Sequence, residues 1–115
     1  MQSTLVRWLV QAVEQELALH REHLAVLRGA PVGCDAEARV IESVRYAADT
    51  RSSLLARVPG ADPGWSLLET IDALPLEAQR TAELRGELAE LMAGLAFETG
   101  RRGERSALDA VPNAA

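Results

Sequence analysis

Lysine is missing from this chain. All 12 basic residues are Arg, against 17 Asp and Glu, and the net charge is −5. An acidic chain without a basic stripe is poorly suited to holding a phosphate backbone, which argues against nucleic acid as a partner. The lack of Lys beside abundant Ala, Arg, Gly and Val is the compositional mark of a GC-rich genome. Aromatic residues make up only 3% of the chain. That leaves no stacking platform for bases and assigns any core to Leu, Val and Ala. Cys34 is the only cysteine, so no internal disulfide can form and a reducing compartment fits. No apolar run has the length that spans a bilayer. Arg7, Gln11 and Glu14 interrupt the opening stretch, which does not read as a signal peptide. The expected location is the cytoplasm. Pro59 to Gly64 has no Lys and precedes no strand, so it is not a phosphate-binding loop.

What the chain does contain is helical rhythm. Val6, Val10, Val13, Leu17, His20, Leu24 and Leu27 alternate in gaps of four and three, and Leu5, Leu9 and Leu19 widen the stripe. This spacing predicts a helix over Ser3–Arg28 that packs lengthwise on other helices, closed by Gly29 and Pro31. After a short connector, Asp35 is placed to cap a second helix from about Ala36 to Arg57. Its seam is Val40, Val44, Ala47, Leu54 and Val58. Arg51 falls on that seam and is expected to lie along the apolar surface with its head in water. Pro59, Gly60, Pro63 and Gly64 form the clearest break. A short element follows over Trp65–Leu74, with Ser66 and Glu69 spaced as a capping box and Trp65 as a lid over the bundle end. Pro75 suits the first position of a last helix that runs at least to Glu98 on Leu84, Leu88, Leu91 and Leu95, with Gly100 as its cap. Gly100, Gly103, Ala107 and Ala110 keep the heptad interval with small side chains. The expected fold is therefore all-α, an antiparallel bundle of three long helices and one short helix. It forms one domain over 1–111, with 100–111 a tail that is helical when a partner packs on it and 112–115 a disordered end.

Reaction chemistry is scarce. Glu16, His20 and His23 share a helical face, but one helix with the chain's only two His leaves a metal site incomplete. Cys34 sits in a connector with no obvious partner to activate it as a nucleophile. Small helical chorismate mutases also open on a long Arg-bearing helix, which Arg7, Arg28 and Arg39 superficially match. Those enzymes resemble one another in using a Lys as well, and this chain has none. No enzyme, cofactor or metal is expected.

Glu16 to Leu27 in the opening helix, Ala48 to Arg57, and Leu88 to Gly100 running into Arg105 to Val111 together resemble the FlgN family of flagellar export chaperones. The order of elements is similar over nearly the whole chain. Departures are Glu98-Thr99-Gly100 where the family often carries Asn, and Arg51 where Lys is commoner. The resemblance implies a cytoplasmic chaperone that holds the C-terminal helical ends of hook-associated proteins of the FlgK and FlgL type and delivers them to the export apparatus. A client helix would lie in an apolar groove and contact Leu91, Met92 and Leu95 with the tail residues Leu108 and Val111. Met92 suits an adaptable surface. A FliT-like or type III secretion chaperone or adaptor, or a homodimeric helical scaffold, would need the same exposed seam.

Overall fold

The computed structural model describes residues 3–31 and 33–110, with side chains described for 4–31 and 33–103. Four helices follow in order: α1 (Ser3–Gly29), α2 (Asp35–Leu55), α3 (Leu67–Ala73) and α4 (Ala78–Ala110). No strand occurs among the described residues.

The four-three spacing of α1 becomes a buried edge. Leu9 and Val13 have no exposed surface, and Leu5, Leu17, Leu24 and Leu27 are buried with them. At about 25 cal/mol per Å², each such side chain contributes about 1.5–3 kcal/mol relative to exposure. α1 is the shared element: α2 packs along one side of it, α4 along another, and α3 packs on α4 and α1. Glu14 meets Arg80 at 3.5 Å, Arg21 pairs with Glu87, and Arg28 meets Glu98 at 3.7 Å. Numbers rise together along both helices, so α1 and α4 run parallel. The start of α2 lies beside the end of α1, since Arg102 bonds both Glu37 and the Leu27 carbonyl, while Arg51 near the end of α2 pairs with Glu16 at the middle of α1; α1 and α2 are thus an antiparallel hairpin. At Gly94 the crossing is so close that a Cβ would lie 2.9 Å from a methyl of Leu24. The result is a rod of 66 × 26 × 21 Å.

Several helix ends differ from the sequence expectation. Asp35 does not cap α2. Cys34 holds the N-cap position without a side-chain bond, and Glu37 reaches back to accept from the Gly33 N–H at 2.9 Å. Gly33 turns the connector with φ +74°, a conformation open to glycine without steric cost. α2 stops at Leu55, before Arg57, and Val58 buries itself from the following turn. α3 starts where the capping box predicts: Ser66 Oγ accepts from Glu69 N–H and Glu69 accepts from Ser66 N–H, both at 3.1 Å. Trp65 is half-buried against the core, in keeping with a lid. Pro75 does not open α4. Leu74 is extended, as a residue before proline prefers, and its N–H is already taken by the Thr70 and Ile71 carbonyls. Leu74 and Leu76 both point into the core from this extended step, and the helix begins at Ala78. Further on, Gly100 does not end it; the α4 backbone is helical through Gly100 and Gly103 to Ala110. The expectation for residues 112–115 lies outside the described residues.

Candidate functional site: an apolar groove beside a buried polar centre

An open groove of about 550 Å³ lies where α3 meets α4 over α1. Leu67 and Leu68 come from the first turn of α3, placed there by the capping box. Leu88, Ala89 and Met92 come from α4, and His20 of α1 lies at its base. Leu68 and Met92 are about two-fifths exposed, large apolar side chains left in water at the rim. Arg85, paired with Asp72 at 2.8 Å, marks the polar end.

The expected contact residues divide between different environments. Met92 lines the groove. Leu91, one position along and so turned by about 100°, is 6% exposed and belongs to the core beneath. Leu95 is half-buried against that core. Leu108 lies on the helical extension of α4 with its side chain outside the description, and Val111 lies outside the described residues.

Beside the groove, α1 and α2 enclose charge. Arg51 does not hold its head in water; its side chain is 12% exposed and pairs with Glu16, which is 3% exposed as a residue. Glu16 Oε1, Arg51 Nε and His20 Nδ1 are buried without partners among the described residues. Loss of hydration raises the Glu16 carboxyl above its usual range, and Arg51 only partly opposes this. His20 is lowered, by burial first and then by the charges of His23 and Arg51. His23 is also lowered by burial, although Glu37 pulls the other way. Glu16 is thus committed to Arg51, and among the described residues no group of three His, Cys, Asp or Glu is placed to hold a metal ion. The chemistry on offer in the groove is apolar contact, with the His20 ring at its base.

A second polar node was missed by the sequence reading. Arg102 is 12% exposed and donates to the carbonyls of Leu27 at 2.9 Å and Ala30 at 2.6 Å, and to Glu37 Oε2 at 3.0 Å. It supplies the orphan carbonyls at the end of α1 with a cation, where the helix dipole favours one, and links α4 to the start of α2. The available signal was rhythm. Leu91, Leu95, Glu98 and Arg102 continue the four-three series, so the seam runs on through charged residues. The small residues Gly100 and Gly103 are both exposed.

Comparison with known proteins finds no matching family model, curated protein or solved structure. No helix among the described residues is long and apolar enough to cross a membrane.

Proposed function

We propose that this chain is a non-catalytic export chaperone of the FlgN kind, acting in the cytoplasm on the C-terminal helical ends of hook-associated proteins. The observation that carries this reading is the groove itself: Leu68 and Met92 stand exposed on either side of an apolar floor that the chain's own helices leave uncovered. α2 and α4 both pack on α1, and α4 meets α2 through Arg102 and Glu37. In this reading the three long helices form an incomplete antiparallel bundle, and a client helix completes it. An amphipathic helix fits because its apolar row can enter the groove between α3 and α4 while its polar face stays in water.

The test is binding of a C-terminal helical peptide from a FlgK-type protein, measured by calorimetry. Leu68→Asp and Met92→Glu should each weaken it by about tenfold or more, since a charge placed in a desolvated contact costs well over 1 kcal/mol. Truncation after Gly100 asks separately whether Leu108 and Val111 contribute. Wild-type affinity in both groove variants would refute the reading. Capture of a different exported protein would favour a FliT-like or type III secretion adaptor.

A further inference from the structure

The opposite side of the hairpin carries a second surface. A wide groove of about 870 Å³ runs along the outer face of α1 and α2, with Ala12, Leu19 and Ala47 in it and Tyr46 at its rim. Tyr46 is 76% exposed. It is one of only four aromatic residues in the chain, and three of them, Trp8, Tyr46 and Phe97, are exposed. Trp8 lies under the Arg57 guanidinium, 5.4 Å from its ring centre, whereas Tyr46 offers a large amphipathic ring of the kind enriched at protein interfaces.

The charges around this groove say what the contact is. Arg39, Glu42, Arg45 and Asp49 all line it, and none of them is in an ion pair among the described residues. Arg21, Arg28, Arg51, Arg80, Arg85, Arg101 and Arg102 are paired; Arg7 and Arg57 are in no ion pair among the described residues either, and Arg57 lies over the Trp8 ring. The four charges in the groove are arranged symmetrically along α2. Arg39 and Asp49 stand equally far from Val44, and Glu42 and Arg45 straddle the same point to within one residue, about 1.5 Å of helix rise. The order is plus, minus, plus, minus. Reversed end for end about Val44, that order becomes its own complement: Arg39 falls opposite Asp49 and Glu42 opposite Arg45.

We infer that the outer face of α1 and α2 is an isologous dimer surface, on which a second copy of this chain lies with its α2 antiparallel, across a two-fold axis that meets this face at the level of Val44 along the helix. A two-fold contact duplicates each cross-pair, so the four charges make four ion pairs. Tyr46 of each copy falls near Glu42 of the other, at the height where Leu19 enters the groove. A parallel arrangement is disfavoured because it would set each charge against its own kind. This surface lies away from the groove over His20, so a dimer would present two client grooves and the two surfaces can fail independently.

The test is sedimentation equilibrium of the full chain over a range of concentration and salt. The wild type should show a monomer–dimer equilibrium that weakens as salt rises. Arg39→Glu converts two attractive pairs into two repulsive ones and should weaken dimerisation by about tenfold or more. The double variant Arg39→Glu/Asp49→Arg restores the complement and should recover dimerisation, which a folding defect would not do. Circular dichroism of each variant checks that the helices persist. A wild type that stays monomeric throughout, or a dimer indifferent to Arg39→Glu, would overturn the inference. So would a double variant that folds but does not recover.

Discussion

Replacing Arg51 with Leu tests how the hairpin tolerates charge in its interior. Arg51 faces Glu16 with 12% of its side chain exposed, and the Glu16 side chain is 3% exposed. Glu16 Oε1 already lacks a partner among the described residues. Removing the guanidinium leaves a carboxylate without hydration or countercharge, and breaking such a pair costs about 3–5 kcal/mol. A domain of this size holds about 5–15 kcal/mol in total, so the loss is a large fraction of it. In urea the midpoint should fall by about 2 M, taking a slope between 1 and 3 kcal/mol per M. The double variant Glu16→Leu/Arg51→Leu should return close to the wild type or exceed it, because apolar side chains of similar size carry no desolvation penalty.

The deficit of Arg51→Leu should also depend on pH. The Glu16 carboxyl is raised in the fold, so the folded chain binds its proton more readily than the unfolded chain. Its stabilising contribution is complete below the ordinary carboxyl value and is lost as pH rises through the raised one. Without Arg51 that window extends to higher pH, so the gap to the wild type narrows on acidification. The two His act oppositely. Both are lowered in the fold, so their contribution is present above the ordinary value of 6.5 and is lost as pH falls through the lowered ones. Arg51 adds to the lowering of His20, so its removal eases that loss and narrows the gap further. A single variant within about 1 kcal/mol of the wild type at neutral pH would place the pair at the value of a solvated surface bridge and refute the reasoning.

Three further outcomes follow from the helix ends and the close crossing. Arg102→Ala should cost about 1–3 kcal/mol, from the unpaired carbonyls of Leu27 and Ala30 and the lost bond to Glu37, and should speed amide exchange at the end of α1. Cys34→Ser supplies the hydroxyl that the N-cap of α2 lacks and should raise stability by about 0.5–1 kcal/mol in thermal melts. Gly94→Val should destabilise by about 1–3 kcal/mol by forcing Leu24 aside. Gly94→Ala should cost less, since helix propensity returns about 1 kcal/mol.

Legibility in the sequence followed distance along the chain. The capping box needs only Ser66 and Glu69, three residues apart, and it formed as read. The α1 seam needs only spacing within a few turns, and its Leu and Val residues are buried as that spacing requires. Pro75 misled because its fit to a first helical position is a local preference. Leu74 and Leu76 instead gain more by pointing into the core from an extended step. Arg51 misled because its partner stands 35 residues away on another helix, and nothing near it in sequence indicates a buried carboxylate. In the groove, Met92 was legible as an apolar residue on the last helix. His20, Leu67 and Leu68 were not, because they join it only when α3 folds onto α4 beside α1.

The sequence by itself determined the helices, their buried edges and the absence of a nucleic-acid-type charge pattern, since periodicity and composition act within one element. The tertiary structure alone decided which charges are buried, that Arg102 closes the end of α1, and where apolar surface stays open. Those depend on how three helices lie across one another, which brings together residues 35 to 75 positions apart and leaves neighbours such as Leu91 and Met92 in different surroundings.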